Sequence, residues 1–385
     1  MTLGIIRKIS IGLRKKSEQK KAAQVLAQAK LWASSIDQLP MPKVEEPKKK
    51  LALIRLDDIG DYILWRNVLV FIRNAAKYKG YEITLIGNIV WKELFDNWDY
   101  AYCDQSIWVD KKQYFSNESY RMQIWTQIRN EAFEQVVCPS RSRPLLLDDM
   151  CCKATAAKQN IACTNQFPYE EWNTYSNAQY QTLFQAQLLG HEFYFNKMFC
   201  SFHTHEVVAL ERPMLALPQK KKIEGNTIIC FIGASAKSKR WPLSYWINCI
   251  KILQKHQFNI VVLGGPSERD MAQKITEATG VVQYAGKCSL IESFQLIQDA
   301  DLVISGDSMA AHAAVALQKK CIILANGVNA KRFVQYQEYG FNYVRTLYTS
   351  AYIKAQKPNL FQAVSSDMKS ISITQVVQSS LELLR

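Results

Sequence analysis

"LALIRLDDIGDYILW", residues 51–65, is an apolar run that meets three carboxylates and a glycine before apolar residues resume at helical spacing. That change of period predicts a strand, Leu51–Leu56, handing over to a helix that starts near Asp61. Gly60 would let the backbone turn tightly and come close to a ligand. Asp61 then projects from a strand-to-helix junction, where a carboxylate serves either as a helix cap or as a general base. Asp57 and Asp58 are expected to oppose its ionisation by like-charge repulsion, and the helix N-terminus to favour it.

The same alternation recurs along the chain. Short apolar runs at 83–86, 136–138, 228–232, 260–263, 281–284, 302–304 and 321–324 read as buried parallel strands, with longer periodic stretches between several of them. The pattern predicts an α/β chain built from βαβ units. Strand rhythm weakens between about 140 and 225, where residues 167–202 are rich in aromatics, Asn and Gln. "LPQKKKIEG" then reads as an exposed connector before a fresh βαβ series. Two doubly wound domains are therefore expected, 51–222 and 223–385, with ligands beyond the carboxyl ends of the strands.

Composition narrows the function. The chain has 385 residues and a formal charge of +14, but residues 1–50 hold twelve Lys/Arg against four Asp/Glu, a net of +8. The excess sits in an N-terminal arm and not on a folded face, so nucleic acid is not an expected partner. "TLGIIRKISIGLRKK" sets Leu3, Ile6, Ile9 and Leu13 at helical spacing among basic residues, and "LPMPKVEEPKKK" reads as a Pro-rich linker. An arm of this kind suits an anionic membrane surface. A solvated tail, or a helix docked on the body of the protein, is the alternative. No apolar run is long enough for a transmembrane helix, and the basic residues interrupt any signal-peptide core. The ten cysteines show no C-x-x-C spacing, so they are expected to be reduced and mostly buried, as in the cytoplasm.

Four later stretches fall where strands should meet helices. "FIGASAKSKRWP" offers Ser235, Lys237, Lys239 and Arg240 in a loop suited to a phosphate-bearing ligand. "VVLGGPSERD" follows the next strand, and Glu268 can accept from a ribose diol or complement a helix dipole. "YAGKCSLIES" borders a base pocket or is plain punctuation. "LVISGDSMAAHAAVAL" places Asp307 and Ser308 before a small-residue helix whose free N–H groups suit a diphosphate, with His312 inside that helix either as a ligand contact or as a satisfied core histidine. No P-loop, G-x-S-x-G or H-E-x-x-H motif is present, and no metal site is expected.

Taken together and in this order, these stretches resemble the ADP-heptose:lipopolysaccharide heptosyltransferase family, glycosyltransferase family nine. The resemblance implies a GT-B fold: two facing Rossmann-like domains with an interdomain cleft, here preceded by the basic helical arm. It implies metal-independent, inverting transfer of a sugar from a nucleotide diphosphate, ADP-linked in the family, to a lipopolysaccharide or other lipid-linked glycan at the inner face of the cytoplasmic membrane. No cofactor is implied. Asp61 after Gly60 matches the family's catalytic aspartate, Lys239 before Trp-Pro its donor-phosphate lysine, and Glu268 its ribose acid. Asp307 and Ser308 match the pair that opens the diphosphate helix, and His312 the histidine of that motif. The chain departs from the family where Met309 and Ala310 replace Gly and often Pro, and where Asp58 replaces a basic or neutral residue. The matched residues address the nucleotide and not the sugar ring, so another hexose or an N-acetylhexosamine stays open. A non-catalytic glycan- or nucleotide-binding scaffold also stays open, with Met309 its main support.

Overall fold

The computed structural model describes residues 2–42, 48–165, 167, 169–185, 190–218, 226–234, 236–355 and 367–385, with side chains from residue 19 onward. Contacts divide the chain into two compact units. The first comprises Met1–Asp58, Leu69–Ala186 and Met198–Val208; the second comprises Ile59–Val68, Gln187–Lys197 and Ala209–Arg385.

The first unit holds a six-stranded parallel sheet in the order β3-β2-β1-β4-β5-β6. Its strands are β1 (Lys50–Arg55), β2 (Glu82–Asn88), β3 (Gln105–Val109), β4 (Gln135–Cys138), β5 (Gln159–Cys163) and β6 (Thr182–Phe184). The second unit repeats the plan in the order β12-β11-β10-β7-β8-β9. Here the strands are β7 (Thr227–Phe231), β8 (Asn259–Leu263), β9 (Val282–Gln283), β10 (Leu302–Gly306), β11 (Lys320–Ala325) and β12 (Val344–Tyr348). Strand order reverses beside β1 in one sheet and beside β7 in the other, the arrangement of doubly wound Rossmann-like folds. The central strands are buried on both faces, which is why they read as continuous apolar runs. β3, β5, β6 and β12 did not stand out in the sequence, because each mixes polar with apolar residues and all four lie at or beside a sheet edge.

The turn after β1 is held by its own charges. Arg55, fully buried, donates from Nε to Asp57 Oδ1 at 2.9 Å, and its Nη2 lies 2.8 Å from Asp57 Oδ2. Asn88 Nδ2 and Trp91 Nε1 both donate to the Asp57 carbonyl, at 2.9 and 3.2 Å. Asp58 pairs with Lys111. The repulsion expected from Asp57 and Asp58 is thus offset by a partner cation on each.

The N-terminal arm is helical, as expected, and part of it is docked. Thr2–Asp37 is one helix, and its second half is part of the first unit. Ala29, Ala33 and Ile36 join the buried core beside Tyr114, Trp125 and Cys151. Trp32 meets Trp125 edge-on at 5.7 Å, and the Arg121 guanidinium lies 4.0 Å above its ring. Arg129 donates to the Ile36 and Leu39 carbonyls, closing the helix end, while Lys153 pairs with Asp37 at 2.8 Å. The docked-helix alternative therefore holds for residues from about 22 to 39. Leu3, Ile6, Ile9 and Leu13 lie outside the described side chains. The physical reason is composition: beyond residue 21 the segment carries small and aromatic residues at helical spacing, which pack better than they solvate.

All ten cysteines are free, eight of them buried. No helix among the described residues is long and apolar enough to cross a membrane.

Ile36→Ala should cost about 2–5 kcal/mol, because it empties a fully buried position. Urea unfolding of the first unit measures this; a loss under about 0.5 kcal/mol would mean that the helix end is not docked.

Candidate functional site

The candidate residues that the structure describes all belong to the second unit. They gather at the carboxyl edge of its sheet and on two helices that pack there. Ser235 lies outside the described residues.

β10 ends at Gly306, and the chain passes through Asp307 and Ser308 into the helix Met309–Ala316. Ser308 caps that helix: its Oγ accepts from the Ala310 N–H at 3.3 Å and bonds the Ser305 hydroxyl at 2.8 Å. Alanines dominate the helix because it is buried on nearly every side, so a larger side chain has no room. Asp307, 7 % exposed, accepts from Lys239 Nζ at 2.6 Å. Lys239 comes from the single turn Lys237–Lys239 in the loop after β7. A partly buried cation is thereby held beside the first turn of a helix whose initial N–H groups lack intrahelical acceptors.

The helix Ile59–Trp65 packs on Met309–Ala316, which is how Asp61 comes to stand in this unit. Gly60 is what permits the contact. A Cβ there would lie 2.7 Å from His312 Cδ2, inside van der Waals contact. The tight-turn role expected for Gly60 is not the one observed: it sits in the first helical turn and is not among the positive-φ residues. Its missing side chain serves helix–helix approach.

His312 is buried and shares a 2.6 Å hydrogen bond between Nδ1 and the Tyr336 hydroxyl. Burial pushes its pKa down to about 4, against the pull of Asp307 and with the repulsion of Lys239. It is therefore a neutral imidazole near pH 7, packed beneath Gly60.

Asp61, in the first turn of its helix, is 20 % exposed at its side chain, and Oδ1 lies 4.0 Å from Arg332 Nη2. Arg332 is itself clamped by Glu192, with Nε to Oε2 at 2.6 Å and Nη2 to Oε1 at 3.1 Å. Glu192 is fully buried, so a bidentate guanidinium is the partner its charge needs. Neither Arg332 nor Glu192 stood out in the sequence. The signal available was one carboxylate, in "GHEFYF", set among aromatics.

Glu268 is 5 % exposed. It accepts from the Gly265 N–H at 3.0 Å and the Ser267 hydroxyl at 2.6 Å, and pairs with Arg240 at 2.9 Å. Gly233 and Gly264 leave it room, since a Cβ on either would come within 3.0 Å of it. In "YAGKCSLIES", Ser289 caps the following helix in a reciprocal box with Glu292, which is the punctuation alternative. At the end of β11, Asn326 Nδ2 donates to the Ser238 carbonyl at 3.2 Å and steadies the lysine loop. No group of three or more potential metal ligands occurs among the described residues.

Gly60→Ala should destabilise the second unit by about 1–3 kcal/mol, because its methyl group drives into His312. Thermal unfolding checks this; an unchanged midpoint would mean that the two helices can separate freely.

Comparison with known proteins follows the same lines. Residues 201–359 match the model of glycosyltransferase family 9 (heptosyltransferase), a span that includes Lys239, Glu268, Asp307, Ser308 and His312 but not Asp61. No curated protein matches the chain by sequence. Among solved structures, a glycosyltransferase family 9 protein of Veillonella parvula is similar with a TM-score of 0.66 at 17% identity, over 89% of this chain and 98% of that one. The ADP-heptose lps heptosyltransferase II of E. coli gives 0.63 at 13% identity, over 87% and 98%. The E. coli heptosyltransferase WaaC, solved with ADP, gives 0.63 at 13% identity, over 87% and 99%. At such identities the structures show a shared GT-B fold, and the family match adds the rest: the resemblance to the family 9 heptosyltransferases is borne out, and it indicates a glycosyltransferase.

Proposed function

We propose that this chain moves a sugar, heptose by family resemblance, from an ADP-linked donor to a glycan or glycolipid acceptor, with inversion and without a metal. The observation that carries the reading is the packing of Gly60 on His312, because it seats the helix bearing Asp61 on the helix that follows the Lys239–Asp307 pair, within one unit.

Asp61 takes the proton from an acceptor hydroxyl as that oxygen attacks the anomeric carbon in line. One displacement inverts that carbon, the bond to the diphosphate breaks, and its electron pair leaves with the phosphate oxygen. Lys239 and the first N–H groups of Met309–Ala316 receive the charge. Asp307 aims Lys239 and keeps the empty site close to neutral. Glu268, oriented by Gly265, Ser267 and Arg240, has an acceptor position left on Oε2 for a ribose hydroxyl. Ser235 and His312 complete the donor side, His312 as the neutral support under the diphosphate turn. The lysine and the helix dipole do the electrostatic work that a divalent cation does in other sites, so EDTA should leave the rate unchanged.

Residues 167–202, through their aromatics, are proposed to contact the acceptor. Residues 1–18, which hold five of the arm's basic residues, are proposed to bring the enzyme to the anionic inner face of the cytoplasmic membrane.

Asp61→Asn should lower transfer by roughly 10²–10⁴ while nucleotide binding stays intact, the range expected for losing a general base. Steady-state transfer from ADP-heptose, followed beside ADP affinity, tests this; near-normal turnover would return Asp61 to a capping role. Absence of turnover in the unaltered chain with every donor and acceptor offered, despite ADP binding, would favour the scaffold alternative that Met309 raises.

Removal of residues 1–18 should abolish co-sedimentation with anionic liposomes and leave activity on a soluble acceptor nearly unchanged. Salt should weaken binding of the full chain through screening. Equal binding to neutral liposomes, insensitive to salt, would contradict an electrostatic tether.

A further inference from the structure

The first unit contains a cavity of about 350 Å³ that shares no residue with the donor site described above; Gln181, Thr182 and Phe202 of its lining fall within the stretch proposed to contact the acceptor. It lies at the amino edge of the sheet: Gln135 opens β4, Gln159 opens β5 and Thr182 opens β6, three neighbouring strands. Doubly wound folds place their usual ligands at the opposite, carboxyl edge. Donor binding and departure of the diphosphate call for no pocket here.

Its lining has a definite chemistry. Lys77, Lys158 and His205 contribute basic side chains, and among the described residues no carboxylate lines the cavity. Lys77 is already positioned, since its Nζ donates to the His203 carbonyl at 2.7 Å. That bond closes the last turn of the helix Glu192–Thr204, so the carbonyl charge of that helix end is offset before a ligand arrives. Lys158 is exposed and stands at the cavity's edge. The amides of Gln135 and Gln159 offer donors and an acceptor, Gln181 offers its Nε2 donors while its Oε1 accepts from the Asn160 N–H at 2.8 Å, and Thr182 adds a hydroxyl. Gln135 is 1 % exposed, yet its Nε2 finds no hydrogen-bond partner, an arrangement that buried amides rarely leave unfilled. Phe202 adds an aromatic ring to one wall, supported by Phe184 with ring centroids 5.1 Å apart.

Amides and a hydroxyl match the hydroxyl groups of a sugar, an aromatic ring matches its apolar face, and lysines without carboxylates select negative charge. The volume falls within the ~300–1,000 Å³ usual for small-molecule sites and suits one or two sugar rings. We propose that this cavity is a second, non-catalytic binding site for an anionic saccharide, a sugar carrying a phosphate or carboxylate group. It stands whether or not Asp61 is the catalytic base.

The test is calorimetric titration of the full chain with glucose 6-phosphate, with glucose and inorganic phosphate titrated in parallel. Glucose 6-phosphate should bind at least about tenfold more tightly than either, because ring and charge are both recognised. Lys158→Glu, at an exposed position that should not disturb folding, should weaken that binding by about tenfold or more, whereas Lys239→Ala should leave it unchanged. Loss in Lys239→Ala with no effect of Lys158→Glu would place the ligand at the donor residues and overturn the proposal. Absence of saturable binding, or equal affinity for inorganic phosphate, would overturn it as well.

Discussion

The account depends on one close approach, that of the Gly60 backbone to the ring of His312. It is a steric constraint before it is a chemical one: the Ile59–Trp65 helix can sit on Met309–Ala316 only where one helix has no Cβ and the other is mostly alanine. Because of that contact, a segment that follows the first strand of the first sheet belongs to the second unit. Asp61 thereby shares a unit with Lys239, Asp307 and Glu268, which lie roughly two hundred residues away in sequence.

Within each unit, charge is held in balanced pairs. Asp57 is matched by Arg55, Asp58 by Lys111, Asp307 by Lys239, Glu268 by Arg240 and Glu192 by Arg332. Several of these groups are nearly inaccessible to water, and a buried charge without a partner is costly. Such pairs also orient the side chains that a ligand would meet. His312 adds no charge of its own near neutral pH, since burial holds its pKa at about 4.

Much of this was legible in the sequence, for physical reasons that differ by element. The central strands announce themselves because burial on both faces demands continuous apolar residues, and Ser308 announces the helix it caps. Edge strands such as β12 do not, because their half-exposed faces accept polar residues. Lys239 and Asp307 could be named separately, but their pairing required the fold. Gly60 was noticed for the wrong reason, since a glycine in sequence cannot distinguish a turn from a helix contact. Arg332 and Glu192 were missed because buried ion pairs have no local pattern. In the arm the sequence left docking as one alternative, because net charge stands out more than the small residues and Trp32 that pack its second half.

The Lys239–Asp307 pair and the first turn of Met309–Ala316 are proposed to receive a nucleotide diphosphate. The most direct measurement is a crystal structure of this chain with ADP. The account predicts both phosphates at that first turn, with Lys239 Nζ within hydrogen-bond distance of a phosphate oxygen and Asp61 facing the outer phosphate. ADP seated elsewhere, with the Lys239–Asp307 pair undisturbed, would contradict it.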